Sequence, residues 1–204
     1  MHADEDEIKI ILLGDMGVGK TNLINVFFGS QFDSGTLSTS TSYCFDGNFK
    51  YNDKTYKYNI WDTAGQEQYK AINKIFIRGA KIIVIVYSII SRNSFEAIDY
   101  WIKYVKETES NDKYVMALVA NKNDLYLQQT VKEEEGKNAA EKYGIEFKIT
   151  SALTEAESFR EFMHSLITKY IEKKEGIVNK GEKKSNIKIN KDNKNDNQGK
   201  KKCC

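Results

Sequence analysis

The chain has 204 residues, 40% of them apolar, which is enough for one globular domain of ordinary size with additional terminal segments. There is no proline, and the three cysteines Cys44, Cys203 and Cys204 are too few for a disulfide framework, which favours a reducing compartment. Eleven lysines oppose four acidic residues between Lys173 and Cys204, whereas the remaining body has 20 basic and 25 acidic residues. An acidic body argues against nucleic acid as its partner.

Three uninterrupted apolar runs predict buried strands. They lie at residues 8–13, 81–88 and 114–120. Each run is rich in branched side chains, shows no alternation of polar residues, and is short for a buried helix. Such runs are typical of a parallel sheet that is covered on both faces.

Helical spacing and one hairpin complete the predicted elements. The predicted helices are residues 20–29, 93–108, 132–143 and 155–173, with Ser91 and Thr154 as N-caps and Gly29 and Gly144 at helix ends. Residues 43–61 instead predict two strands joined at Asn52-Asp53-Lys54. The order predicts an α/β domain of three layers, with a mostly parallel sheet, one antiparallel edge strand and helices on both faces.

A phosphate-binding loop follows the first strand. Residues 14–21 read GDMGVGKT and match G-x-x-x-x-G-K-[ST], so the candidate phosphate-binding residues are Gly14, Asp15, Met16, Gly17, Val18, Gly19, Lys20 and Thr21. Glycines allow backbone N–H groups to curl around phosphate oxygens at a helix N-terminus. Lys20 is predicted to contact the β- and γ-phosphates, and the Thr21 hydroxyl to bind Mg²⁺.

The segment WDTAGQE at residues 61–67 predicts the hydrolytic part of the site. Asp62, at a strand end, is predicted to hold the metal through water. Gly65 is placed to donate its N–H to the γ-phosphate, and the Gln66 amide has the donor and acceptor needed to orient an attacking water.

The segment NKND at residues 121–124 predicts which base is bound. Guanine carries an N1–H and an exocyclic amine on one edge, and a single carboxylate, Asp124, can accept both. Adenine lacks this donor pair. Lys122 can lay its aliphatic stem along the base, and Asn121 can brace the loop.

These motifs, together with TSAL at residues 150–153, resemble in order and spacing those of Ras-like small GTPases. EQYKAI, FIRGA, IVYSI and the terminal Cys-Cys resemble Rab signatures, and the resemblance covers residues 8–173 plus the last two. It implies a P-loop GTPase fold that binds GTP or GDP with Mg²⁺. It also implies that Phe32 stacks on guanine, that Thr39 (or Thr41, if the strand phase of this segment is shifted) reaches Mg²⁺, and that Ser151, Ala152 and Leu153 contact the base.

Two features predict slow hydrolysis. Met16 places a long side chain in the phosphate loop where Rab proteins often have a small residue. The arginines are Arg78, Arg92 and Arg160, so none lies between Thr21 and Gly65 to stabilise transition-state charge, and an intrinsic rate on the order of 10⁻⁴ s⁻¹ is expected. An alternative is a guanine-nucleotide-binding scaffold with little hydrolysis. A small-molecule kinase is disfavoured because the arginines are scattered.

The chain is predicted to have three segments: an acidic extension (residues 1–7), a GTPase domain (8–172) and a basic tail (173–204), in which the predominance of Lys and Asn predicts disorder. The Rab resemblance implies geranylgeranyl groups on Cys203 and Cys204. Two lipid chains are enough to anchor a protein stably to a membrane. The implied location is the cytoplasmic face of intracellular membranes, exchanging with the cytosol. The implied partners of this monomer are an exchange factor, a GTPase-activating protein, a GDP-dissociation inhibitor, prenylation enzymes and effectors, with no nucleic acid.

Overall fold

The computed structural model describes residues 7–33, 43–62, 70–109, 113–176 and 201–202. Its strands are β1 (Ile8–Leu13), β2 (Tyr43–Tyr51), β3 (Lys54–Asp62), β4 (Ile82–Ser88), β5 (Val115–Asn121), β6 (Glu146–Ile149) and the two-residue β7 (Lys201–Lys202). They form one sheet in the order β6-β5-β4-β1-β3-β2-β7. All pairs from β6 to β3 are parallel, and β2 is antiparallel to β3. The predicted mostly parallel α/β fold is confirmed.

The helices are α1 (Lys20–Phe27), α2 (Lys70–Ile77), α3 (Arg92–Glu96), α4 (Ile98–Thr108), α5 (Glu133–Tyr143) and α6 (Ala156–Glu175), with a 3₁₀ helix at Asn123–Gln128. The single helix predicted for residues 93–108 is wrong in one respect, since α3 and α4 meet at Ala97. Its ψ of −10° departs from the α-helical value near −42°, so regular helical geometry is interrupted there. The predicted N-cap Ser91 is confirmed, because its side chain accepts a hydrogen bond from the Ser94 N–H.

The predicted N-cap Thr154 is wrong. α6 begins at Ala156 after Glu155, and no side chain caps it. The turn before it is organised by Ser151 instead, whose Oγ accepts hydrogen bonds from the backbone N–H groups of Leu153 and Thr154 at 3.1 and 3.2 Å. The Ser151 carbonyl then accepts from the Glu155 N–H at 2.8 Å.

Alternating residues of the buried strands supply two separate cores. Ile10 and Leu12 pack on the face covered by α1 and α6, whereas Ile11 and Leu13 pack on the face that includes Trp101 of α4. Because both faces are covered, consecutive residues of β1 and β4 are almost all apolar. This explains the uninterrupted runs in the sequence.

The predicted hairpin is confirmed as β2 and β3. The residues between the strands are Asn52 and Asp53, with φ of 47° and 61°, as in a two-residue turn that follows the twist of the strands. At the same end of the hairpin, the Tyr51 and Tyr56 hydroxyls donate to Glu172 and Glu175 of α6 at 2.9 and 2.5 Å. The end of α6 is therefore attached to the hairpin turn.

Candidate functional site

The carboxyl ends of the parallel strands bring the predicted motifs to one edge of the sheet. In the strand register, Leu12 of β1 lies beside Asp62 of β3, and Ser88 of β4 lies beside Asn121 of β5. In open α/β sheets, ligands bind in crevices outside this edge. The loops after β1, β5 and β6 therefore lie together although they are distant in the chain.

Two glycines in the loop after β1 have no room for a side chain. Gly14 has φ of 139°, and a Cβ there would lie 2.0 Å from the Val86 carbonyl oxygen. Gly19 has φ of 98°, and its Cβ would lie 2.4 Å from the Asn121 side-chain nitrogen. The loop thus passes directly against β4 and Asn121, which accounts for glycine at both positions.

Lys20 is folded back over this loop. Its side chain is only 5% exposed, and Nζ donates to the carbonyl oxygens of Gly14 and Asp15 at 2.7 and 3.0 Å. A buried ammonium held by carbonyls inside a glycine loop at the start of a helix is suited to anion binding. Thr21 follows in the first turn of α1.

Asp62 is the buried carboxylate at this edge. It is the last residue of β3, has no exposed surface, and lies in register with Leu12 just before the phosphate loop. A carboxylate and the Thr21 hydroxyl are oxygen donors of the kind that Mg²⁺ prefers. The residues present therefore fit a magnesium ion.

Asn121 joins two loops of the site. It is 1% exposed, its Nδ2 donates to the Val18 carbonyl at 2.8 Å, and its Oδ1 accepts from the Ala152 N–H at 3.3 Å. One side chain therefore binds the phosphate loop to the loop after β6. The bracing role inferred from the sequence has this geometric basis.

Asp124 and its neighbours form the other end of the site. Ser151, which has no exposed surface, donates its Oγ–H to Asp124 Oδ1 at 2.5 Å. Asn123 Nδ2 donates to Glu155 Oε1 at 2.8 Å. Lys122 has φ of 68°, a conformation rare for a residue with a side chain. The hydrogen bond from Ser151 holds the Asp124 carboxylate against the loop after β6.

Three predicted contact residues lie nearer the surface. Met16 and Leu153 are 58% and 53% exposed. Phe32 is half-buried and packs against the core covered by α1 and α6. In the same segment, the Asp33 carbonyl accepts a hydrogen bond from Asn22 Nδ2 at 3.1 Å. Gly17 lies in the phosphate loop with φ of 78°.

Other predicted residues lie outside the described part of the chain. They are Thr39, its alternative Thr41, Gly65, Gln66, Cys203 and Cys204. Sequence reasoning also missed one contact, the hydrogen bond from Trp101 Nε1 to Asp15 Oδ1 at 3.1 Å. A tryptophan in an amphipathic helix indicates burial, and no local pattern pairs it with a loop 86 residues away.

A glycine loop between a buried strand and a helix, closed by a buried lysine, defines a P-loop nucleotide-binding domain. The Ras family model matches residues 9–172. The chain is 38% identical over 172 residues to Ras-related protein RGP2 of Oryza sativa subsp. japonica, covering 84% of this chain and 76% of the relative. It is 41% identical over 145 residues to Ras-related protein Rab-11B of Dictyostelium discoideum, and the match covers 71% of this chain and 66% of the relative.

A third relative, Ras-related protein RABA1b of Arabidopsis thaliana, is 40% identical over 145 residues, which cover 71% of this chain and 67% of the relative. The chain belongs to the Ras family and is a Rab-like small GTPase, an enzyme that hydrolyses GTP. Ras-family GTPases bind GTP and GDP. No described helix combines the length and apolar character needed to cross a bilayer.

Proposed function

We propose that this chain is a Rab-like switch that controls membrane traffic through effectors binding its GTP-bound form. The nucleotide-binding part of this proposal is supported most directly by the bridge made by Asn121, which joins the phosphate loop to the loop after β6. Lys20 then binds the phosphates at one end of the site, and Asp124 selects guanine at the other end. Loss of the γ-phosphate releases the segments that contact it.

Thr21 and Asp62 are the residues proposed to hold Mg²⁺, joined by Thr39 in the GTP-bound form. When bound there, the ion would neutralise negative charge on the β- and γ-phosphates. Lys20 contributes a second positive charge, and Gly65 donates its N–H to the γ-phosphate. Gln66 orients the attacking water.

Phe32, Ser151, Ala152 and Leu153 complete the proposed guanine site. Phe32 stacks on the base, and the loop after β6 contacts it through backbone donors. Lys122 covers part of the base with its aliphatic stem. The hydrogen bond between Ser151 and Asp124 supports this arrangement because it orients the carboxylate.

The tail is proposed to anchor the domain to the cytoplasmic face of an intracellular membrane through prenylated Cys203 and Cys204. α6 ends at Glu175 beside the turn of the β2–β3 hairpin, whereas Asp62 lies at the opposite end of β3. The tail therefore starts beside the hairpin turn, and β7 near its end pairs with the start of β2, which lies in register with Asp62. Exchange factor, GTPase-activating protein, GDP-dissociation inhibitor, prenylation enzymes and effectors are the proposed partners of the monomer, and mass spectrometry of the native C-terminus tests the lipidation.

The test of the switch is the nucleotide content and turnover of the purified chain. We expect bound GDP or GTP after purification with magnesium, and single-turnover hydrolysis on the order of 10⁻⁴ s⁻¹ without an activator. Met16→Ser is the matched variant, and faster hydrolysis is expected because a small side chain leaves more room beside the γ-phosphate. The proposal is contradicted if the protein is purified without nucleotide and does not bind micromolar GTP. Binding of GTP without hydrolysis favours the scaffold alternative.

A further inference from the structure

Trp101 of α4 contacts the phosphate loop through the side chain of Asp15. The indole Nε1–H donates to Asp15 Oδ1 at 3.1 Å, and the Trp101 side chain is only 3% exposed. Asp15 directly follows Gly14 in the loop, whereas Trp101 lies within α4. One hydrogen bond therefore attaches the start of the loop to a buried helix residue.

The main chain of Asp15 makes a second contact that matters for phosphate binding. Its carbonyl oxygen accepts a hydrogen bond from Lys20 Nζ at 3.0 Å. The side chain of Asp15 is thus held by α4 while its backbone contacts the lysine that serves the phosphates. The two hydrogen bonds therefore link Trp101 to the Lys20 ammonium through a single residue, Asp15.

The helix that carries Trp101 provides a fixed attachment. Tyr100 makes an edge contact with the Trp101 ring at 5.3 Å between centroids and stacks on Tyr104 at 5.8 Å. Tyr104 in turn hydrogen-bonds with the backbone of Lys74 in α2. In the loop, by contrast, residues 16–17 are exposed. Exposed loop segments with few packed contacts open more easily than packed helices, so the attachment restrains the loop rather than the helix.

An acidic side chain in a loop that binds phosphates is unfavourable unless its direction is controlled, because like charges repel. We propose that Trp101 is a positioning residue that directs the Asp15 carboxylate toward α4 and so keeps the phosphate loop closed around bound nucleotide. The inference rests on the proposed nucleotide site. Trp101 lies outside the nucleotide-binding motifs, and its replacement is expected to accelerate nucleotide release.

The experiment measures release of a fluorescent GDP analogue from the full chain in magnesium, for wild type, Trp101→Phe, Asp15→Ala and the double variant. Phenylalanine retains an aromatic ring but lacks the N–H donor. We expect Trp101→Phe to release the analogue about tenfold faster, corresponding to about 1.4 kcal/mol. When Asp15→Ala is already present, the same substitution should change the rate less than about twofold, because the acceptor of the hydrogen bond is absent.

Tyr143→Phe is the matched control, since it removes a hydrogen bond to Asp99, an aspartate of α4 itself, at 2.6 Å. Its release rate should equal that of wild type. Equal acceleration by Trp101→Phe with and without Asp15→Ala, or no acceleration, overturns the inference and indicates that the hydrogen bond does not hold the loop. A wild-type chain that does not bind the analogue contradicts the proposed function instead.

A spectroscopic measurement covers the case in which Trp101→Phe fails to fold. In a Trp61→Phe chain, Trp101 is the remaining tryptophan, because the sequence has two. Adding Asp15→Ala to this chain should shift the emission maximum of Trp101, since the indole loses a charged hydrogen-bond partner. An unchanged spectrum shows that the contact is absent in solution and overturns the inference.

Discussion

Asn121 and Val18 are 103 positions apart in the chain, yet the Asn121 amide donates to the Val18 carbonyl at 2.8 Å. The same amide accepts from the Ala152 N–H at 3.3 Å. Its side chain is almost completely buried. A single buried residue at the end of β5 therefore joins two loops that the sequence separates widely, and the first prediction concerns its removal.

Asn121→Ala should lower the free energy of unfolding by about 2–3 kcal/mol, because it leaves a buried carbonyl and a buried N–H without a partner. GDP release should accelerate in parallel. Urea denaturation and a release assay measure the two effects. Asn123→Ala, which removes only a half-buried side-chain contact with Glu155, is the control and should cost under about 1 kcal/mol. Equal losses in both variants contradict the bridging role.

Asp124→Asn should exchange guanine for xanthine preference. The amide offers a donor where the carboxylate accepted two N–H groups, so GTP affinity should fall about 100-fold, or about 2.8 kcal/mol, and xanthosine triphosphate should bind better than to wild type. Titration with both nucleotides measures the change. Unaltered GTP affinity refutes the assignment of Asp124 to the base.

Acidification should weaken the attachment of α5. The hydrogen bonds from Arg92, followed by that from the Lys132 backbone N–H, lower the pKa of Glu135 from 4.5 to about 2. A carboxylate whose pKa is lower in the folded state stabilises the fold above its unfolded pKa of 4.5, and this contribution disappears as the pH falls toward 2. Urea unfolding between about pH 6 and pH 3 measures it.

The pH effect is isolated by comparing two glutamate-to-glutamine substitutions on the same helix. Glu135→Gln should be less stable than Glu134→Gln at about pH 6, and the difference should shrink as the pH approaches about 3. Glu134 is an exposed neighbour in the first turn of α5, so both variants remove one negative charge there. A difference that stays constant with pH argues against the pairing of Arg92 with Glu135.

Tyr87→Phe should stabilise the protein by about 1 kcal/mol. Tyr87 has no exposed surface, and its hydroxyl has no hydrogen-bond partner among the described residues. Burial raises the pKa of this phenol. Removing a buried polar group that lacks a partner removes its desolvation cost. Tyr143→Phe, which loses a hydrogen bond to Asp99, is the control and should not stabilise; a loss of stability in Tyr87→Phe contradicts the prediction.

Local sequence patterns were sufficient for β1, β4, β5 and the hairpin, but they did not predict β6 or β7. Runs such as Ile8–Leu13 predict strands buried on both faces because their apolar residues contact one core or the other. The boundaries were less predictable: Thr154 does not cap α6, since the helix begins at Ala156 after Glu155, and Ser151 organises the turn before it. The division of one predicted helix at Ala97 was also missed, since spacing alone does not report a local change in ψ.

The sequence by itself determined the class of fold, the phosphate loop and the guanine motif, because glycines, a lysine and an aspartate at set spacings each have a local chemical reason. Only the tertiary structure decided which side chains hold these loops together. The contacts of Asn121 with Val18 and of Trp101 with Asp15 join segments 103 and 86 residues apart. Such contacts depend on how helices and strands pack in space, and the spacing of residues along the chain does not predict that packing.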